Sequence, residues 1–255
     1  MNFRKSFILS LVFTVFSLNA VTKPLSVGWE LWYPYQFHNN KQQLVGLDFD
    51  IFNAIISEVN LSVNYTELPW KRHLNYLKTG EMDIAMGASY TNERASYAYF
   101  TQAYRSELVN LYVRKNQASK IKLKSLNDLV SSPYKIGVEA GYYYGKNYQK
   151  LIKNDDFQQH IIELVNLEDS ISLLLKGKLD GVLVDPITMS AFVDKYQLND
   201  EFEAHEVIIY QDDISIMLSK KTMTRENLVR FNQAINRLKN NGVLLEITKR
   251  WINKK

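Results

Sequence analysis

Cysteine is absent from all 255 residues, and this excludes a disulfide framework, a thiol nucleophile and thiolate metal sites. It also excludes the lipid-bearing cysteine of a bacterial lipoprotein. Histidine is scarce: His38, His73, His160 and His205 are scattered, with no pair at metal-ligand spacing. No phosphate-cradling glycine loop, no G-x-S-x-G elbow and no nucleophile–base pair is present. Neither a resident metal nor a cofactor is expected. Beyond the first twenty residues, no stretch approaches the roughly 20 apolar residues that a membrane-spanning helix needs. Excess charge is lacking too. The formal charge is +4, two of those charges (Arg4 and Lys5) sit at the extreme N-terminus, and Lys120, Lys122 and Lys124 alternate with apolar residues. A nucleic-acid partner is not expected.

What is present begins with a leader. Residues 1–20 carry the cations Arg4 and Lys5, then the apolar run 7–18, then small or polar residues ending at Ala20. That order is the pattern of a secretory signal peptide. Without a lipid-bearing cysteine or a second membrane segment, it predicts a periplasmic protein, expected to be a monomer. Aromatic residues make up 13% of the chain, 16 of them tyrosine and 4 tryptophan, enough to line a binding surface as well as fill cores.

Periodicity predicts an α/β architecture, with short β-like runs alternating with helical patterns. Strands are expected at 25–29, 63–66, 83–87, 109–114, 135–138, 181–184 and 214–218. Helices are expected at 48–59, 70–78, 170–176 and 186–196, with a turn of helix at 125–130. Two further helices are expected through Phe231, Ile235 and Leu238, and through Leu244, Ile247 and Trp251.

A short internal repeat organises these elements. Leu74-x-x-Leu77-x-x-Gly80-x-x-Asp83 matches Ile171-x-x-Leu174-x-x-Gly177-x-x-Asp180. Each copy reads as a helix end, a glycine suited to a left-handed closing residue, and a buried strand. Val27-Gly28-Trp29-Glu30 echoes Ile136-Gly137-Val138-Glu139 in the same order. Two similar α/β halves are expected. Ligands of open α/β sheets bind outside the carboxyl ends of the strands, which directs Gly87 and Ser89 of one half and Asp185 of the other towards a shared cleft.

Several blocks resemble the bacterial extracellular solute-binding proteins of family 3, the periplasmic amino-acid-binding components of ABC transporters. These are Leu44-Val45-Gly46-Leu47-Asp48-Phe49-Asp50, then 83–94 with Thr91, Glu93 and Arg94, then Tyr99-Phe100-Thr101. Leu179 to Asp185 and the closing segment Gly242 to Trp251 follow. The resemblance runs from about Leu25 to Trp251. It implies a two-lobed periplasmic-binding-protein-like fold of type II with two hinge strands, divided into residues 24–107 plus 211–255 and residues 108–210. It further implies a small polar ligand, an amino acid or related carboxylate, trapped by hinge closure and delivered to a membrane permease.

The same resemblance assigns roles. Arg94 is implied to grip the ligand carboxylate, and a guanidinium fork suits that group because it binds bidentately and stays charged. Asp185 is implied to pair with the ligand ammonium, although its place before Pro186 suits a helix cap equally well. Ser89 would offer a hydroxyl, Trp70 an aromatic face, and Glu30, Trp32 and Tyr33 further contacts in the first loop. The departure is Gly141-Tyr142-Tyr143-Tyr144-Gly145, where many amino-acid binders have a small hydroxyl residue. Tyr142 and Tyr143 are expected either to stack on the ligand or to fill part of the cleft. Two other readings stay open: a dehydratase-like enzyme for small carboxylic acids on the same fold, recruiting Glu30, Tyr142 and Tyr143, and a ligand sensor for a membrane receptor.

Overall fold

A computed structural model of the chain describes residues 23–252, so the leader read at 1–20 lies outside the described residues. One twisted sheet contains nine strands, and every helix packs against it. The first half contributes β1 (Leu25–Trp29), β4 (Val63–Glu67) and β5 (Ile84–Ser89), with β2 (Phe37–His38) and β3 (Leu44–Val45) forming a separate two-stranded ribbon. The second half contributes β8 (Ile136–Glu139), β9 (Ile161–Leu164) and β10 (Gly181–Val184). β6 (Ala98–Phe100) borders the last strand, β11 (Phe202–Ser219), which runs antiparallel to β7 (Arg105–Arg114).

Each half repeats one topology. In the first, the parallel order is β4-β1-β5, and in the second it is β9-β8-β10. In both, the first strand of the half lies in the middle, flanked by its second and third. The third strand of each half then meets an antiparallel neighbour, β11 for β5 and β7 for β10. The repeat seen in the sequence is the seam of this arrangement. Gly80 and Gly177 close their helices with φ of 90° and 69°. The following aspartates each tie the start of the central strand: Ser26 donates its backbone N–H and its hydroxyl to Asp83 Oδ2 at 2.7 and 2.8 Å, and Lys135 N donates to Asp180 Oδ2 at 2.8 Å.

The helices of the first half are α1 (Leu47–Val59), α2 (Trp70–Thr79) and α3 (Asn92–Tyr97), and the chain returns to this half with α8 (Arg225–Asn240) and α9 (Val243–Ile252). Ile51, Phe52, Ile55 and Ile56 of α1 face Phe231, Ile235 and Leu238 of α8 and Leu244 of α9 in one apolar cluster against β1, β5 and β11. The second half carries α4 (Gly145–Leu151), α5 (Asp155–Gln158), α6 (Leu167–Leu175) and α7 (Pro186–Tyr196). There Leu111, Leu129, Ile136, Tyr148 and Phe157 fill one face of the sheet, while Ile171, Leu174, Val182 and Phe192 fill the other. The expected turn at 125–130 is a 3₁₀ helix, Leu126–Ser131, capped by Ser125.

The expected strands at 109–114 and 214–218 are longer than read. β7 begins four residues earlier, at Arg105, and β11 twelve residues earlier, at Phe202. The added rungs carry Arg105, Glu107, Glu203, Asp212 and Asp213, so charge masks the strand pattern there. α4, α5 and β9 also stand where no element was expected, and α6 begins three residues before the expected helix. No helix among the described residues is long and apolar enough to cross a membrane.

The aspartate ties give a direct test. Asp83→Ala removes the acceptor of two hydrogen bonds at a partly buried seam and is expected to cost about 1.5–3 kcal/mol. Asp180→Ala removes one and should cost less. Urea denaturation of both variants measures the difference, and equal losses would contradict the reading.

Candidate functional site

The cleft is assembled from loops at the carboxyl ends of the strands. After β1 the chain makes a tight turn, with Tyr35 N and Gln36 N both donating to the Trp32 carbonyl at 2.7 and 2.8 Å. The carbonyls of Pro34 and Tyr35 then accept from Leu47 N and Asp48 N, the otherwise unpaired first amides of α1. This turn sends Trp32, Tyr35 and Gln36 inward. Tyr33 goes the other way: its ring packs on Phe37 at 4.6 Å and under Lys195 Nζ at 5.2 Å. Expected as a ligand contact, Tyr33 lines neither chamber of the cleft, because the turn that buries its neighbours projects it outwards.

A buried ion pair holds this wall to the start of β7. Arg105 donates from Nε and Nη2 to the two oxygens of Asp48 at 2.7 and 2.9 Å. Its guanidinium lies 4.1 Å from the Tyr35 ring centroid and 5.1 Å from that of Trp32. Burial works against the charge, but the Asp48 carboxylate outweighs it and holds Arg105 protonated. Gly87 must be glycine here. Its φ is +71°, and a Cβ would come within 3.0 Å of the Trp32 ring and 3.2 Å of Asp48, while its N–H donates to Tyr104.

Arg94 is buried, only 7% exposed, and is neither on the surface nor paired with Glu93 or Asp83. Thr91 caps α3 and accepts from Arg94 N at 3.0 Å. The side chain donates from Nη1 to the Ser89 carbonyl at 3.0 Å and from Nη2 across the cleft to the Gly141 carbonyl at 3.1 Å. It also lies 5.6 Å from the Trp70 ring. Burial lowers its pKa from the ordinary arginine value. Trp70 serves two purposes, since it belongs to the apolar cluster with Leu77 and Met82 and its ring also lines the cleft.

Glu30 sits at the N-terminus of α2, where Trp70 N donates to Oε2 at 2.8 Å, a position favoured by the helix dipole. Tyr142, from the opposite half, donates its hydroxyl to Glu30 Oε1 at 2.7 Å. Burial raises the Glu30 pKa to about 7, the two hydrogen bonds pulling against it. Asp185 caps α7, Oδ1 accepting from Ile187 N and Thr188 N at 3.0 and 2.9 Å, and it also accepts from Tyr35 at 2.9 Å. The helix-cap role is thus filled, and the same carboxylate faces the cleft.

Tyr142 divides the cleft. It packs against apolar clusters of both halves and stands between two chambers. The first is lined by Glu30, Gln36, Gly87, Ser89, Arg94 and Glu107, among others. The second is lined by Glu107, Glu139, Tyr144 and Asp185, among others. Trp32, Glu107, Tyr142 and Tyr143 border both. Arg94 and Asp185 thus lie in different chambers.

Several residues of the cleft escaped the sequence reading. Tyr35, Gln36, Arg105, Glu107 and Glu139 received no role, and Asp48 was noted only within its motif. Burial raises Glu107 to about 7 and holds Glu139 well above the usual carboxylate range, with Glu30 and Asp185 adding to the latter effect. A charge within a strand that must cross a core was the available signal for Arg105 and Glu107. Among the described residues, no group of three acidic or histidine side chains is placed to hold a metal ion.

Comparison with known proteins agrees with this architecture. The probable histidine-binding protein of Neisseria gonorrhoeae is 27% identical over 163 residues, a match spanning 63% of this chain but only 58% of that relative. The arginine-binding periplasmic protein of Mannheimia haemolytica is 22% identical over 86% of both chains. Among solved structures, a histidine kinase sensor domain similar to periplasmic binding proteins superposes with a TM-score of 0.77 at 18% identity, covering 91% of this chain and 96% of its own. An ancestral arginine-binding protein bound to arginine gives 0.74 at 25% identity, covering 89% and 97%. An ancestral amino-acid-binding protein, a precursor of cyclohexadienyl dehydratase, gives 0.71 at 22% identity, covering 90% and 95%. The model of the bacterial extracellular solute-binding proteins, family 3, matches residues 25–254, and with two α/β halves joined by a pair of long strands around a charged cleft, this chain belongs to that family.

Proposed function

We propose that this protein works in the periplasm, captures a free amino acid between its halves by hinge closure, and presents the closed form to a membrane ABC permease. Residues 24–107 with 211–255 form one moving body in this reading, and 108–210 the other. The boundaries fall on facing rungs of the hinge ladder, where Leu108 pairs with Gln211 and Val109 with Tyr210.

The observation that carries the reading is the reach of Arg94 from one half to the Gly141 carbonyl of the other. A ligand carboxylate in that position would replace a neutral acceptor by a charged one, and charge-assisted hydrogen bonds are roughly twice as strong. Three further contacts bridge the halves: Tyr142 to Glu30, Tyr35 to Asp185, and Lys195 over Tyr33. A ligand gripping both walls favours the closed arrangement by its differential affinity for it. The arginine- and histidine-binding names of the relatives support an amino acid as cargo.

A second reading draws on Glu30. A carboxyl held near pH 7 beside a tyrosine hydroxyl is poised for general acid work, as a dehydratase-like enzyme would need. Product formation from a panel of small carboxylic acids decides for that reading, and binding without turnover decides against it.

Arg94→Ala is expected to weaken amino-acid binding at least ~100-fold, the loss of a charged hydrogen-bond partner worth about 3 kcal/mol, with the circular dichroism spectrum of a folded protein. Titration calorimetry against the twenty L-amino acids checks this, and unchanged affinity would remove Arg94 from the site. Tyr142→Ala takes away the shared wall of the two chambers and the bond to Glu30. X-ray scattering without added amino acid should then show a larger radius of gyration than the parent, whereas an identical curve would deny Tyr142 its bridging role.

Acid should stabilise the fold. Glu30 and Glu107, ordinarily near 4.5, are each raised to about 7 by burial, so the folded chain binds more protons than the unfolded chain between those values. Their stabilising contribution is present at the acid end and is lost as pH rises through 7. The melting temperature is expected to fall from pH 5 to pH 8, and Glu30→Gln should flatten the slope.

A further inference from the structure

The polar groups of the cleft are unevenly engaged. Arg94 has committed one terminal nitrogen to Ser89 and the other to Gly141. Glu30 accepts at both oxygens, and Asp185 Oδ1 accepts three hydrogen bonds. Gln36 differs: it is 2% exposed, lines the first chamber, and its Oε1 is buried with no hydrogen-bond partner among the described residues. Glu107 lines the same chamber from the hinge strand β7, and no hydrogen bond to its carboxylate comes from any described residue. A buried acceptor left without a donor destabilises the empty site, so a ligand group that brings donors to this corner gains what the protein forgoes.

Charge points the same way. The side chains lining the two chambers include four carboxyls, Glu30, Glu107, Glu139 and Asp185, against one guanidinium, Arg94. Burial pushes Glu30, Glu107 and Glu139 towards the protonated form. A cationic group on the ligand's side chain would return a carboxyl beside it to the charged form, which a neutral side chain cannot do. Trp32 and Trp70 add aromatic faces to the first chamber, surfaces that attract cations and cover alkyl stems.

We propose that Gln36 and Glu107 form a subsite for the cationic end of the ligand's side chain, so that the cargo is an amino acid bearing a guanidinium or ammonium group. The inference rests on the amino-acid-binding reading and narrows it. The ligand carboxylate takes Arg94, the alkyl stem lies along the tryptophans, and the terminal N–H groups reach Gln36 Oε1 and the Glu107 carboxylate. Glu107 acts from the hinge itself, because its neighbour Arg105 is fixed by Asp48.

Arginine and citrulline decide the matter, since they have nearly the same shape and differ in charge at that end. Calorimetry of the full protein with L-arginine, L-lysine, L-citrulline and L-glutamine is expected to show L-arginine or L-lysine bound at least ~10-fold tighter than L-citrulline. Glu107→Gln should abolish that ratio, and Gln36→Leu should weaken the basic ligand at least ~5-fold while affecting L-citrulline less. Should either variant fail to fold, the ratio measured on the parent protein still decides. Equal binding of L-arginine and L-citrulline, or tight binding of L-glutamine alone, overturns the subsite and leaves the amino-acid reading standing. A protein that binds none of the twenty L-amino acids overturns both.

Discussion

The pairing of β7 with β11 is the constraint on which the remaining geometry depends. It is the ladder that runs through both halves, from Phe202 opposite Arg114 to Ile214 opposite Arg105. Most apolar packing on either side stays within its own half, and Tyr142 with a few polar contacts crosses between them. Register shifts between Ala204 and Ile208 and between Ile208 and Tyr210 interrupt the ladder, and bulges of this kind are where a strand bends. The Asp48–Arg105 pair fixes one end. With side chains 0% and 8% exposed, breaking it would leave an uncompensated buried charge, a loss of about 3–5 kcal/mol. The ladder is therefore pinned at its root and interrupted along its length.

From that root the cleft wall follows. Arg105 carries Tyr35 and Trp32 on its guanidinium faces, Tyr35 reaches Asp185 in the other half, and Gly87 stays small because Trp32 and Asp48 crowd it. Tyr142 comes from the opposite side and meets this wall with its ring and Glu30 with its hydroxyl. The sheet thus supplies distance, the loops supply chemistry, and a single tyrosine decides whether two anchors of opposite charge share one space. A small residue at position 142 would merge the chambers. The tyrosine keeps Arg94 and Asp185 apart for as long as it remains there.

What the sequence disclosed follows apolar periodicity. Helices such as Pro186–Tyr196 and strands such as Leu25–Trp29 have apolar faces that must be buried, and their bounds were legible to within a residue or so. The repeat was legible too, because Gly80 and Gly177 need left-handed backbone and Asp83 and Asp180 need a strand start to hold. The hinge was not. Arg105, Ser106 and Glu107 fell outside the expected strand because charge is disfavoured in a buried strand, yet Arg105 is paired with Asp48 and Glu107 faces a polar cleft. Of the residues that the family resemblance singled out, Arg94, Glu30 and Trp70 line one chamber of the cleft and Asp185 the other. The resemblance could not foresee Gln36 or Glu107, whose placement depends on a turn at 32–36 and on a strand extension that no periodicity marks.

The same contrast separates a general binder from a selective one. Arg94, committed to two carbonyls, can exchange Gly141 for any carboxylate and so distinguishes little beyond the presence of that group. Selectivity must come from groups that the protein leaves unsatisfied in the absence of the right partner, because these penalise a poor match by their full desolvation cost. Gln36 Oε1 is such a group, and the Glu107 carboxyl lines the same chamber. A ligand that ends in a methyl or a carboxylate leaves them unanswered or repels them, while one that ends in several N–H groups satisfies them together. In this proposal the root of the hinge places Glu107 and the turn before α1 places Gln36, so the backbone of one half sets the discrimination before the cleft closes.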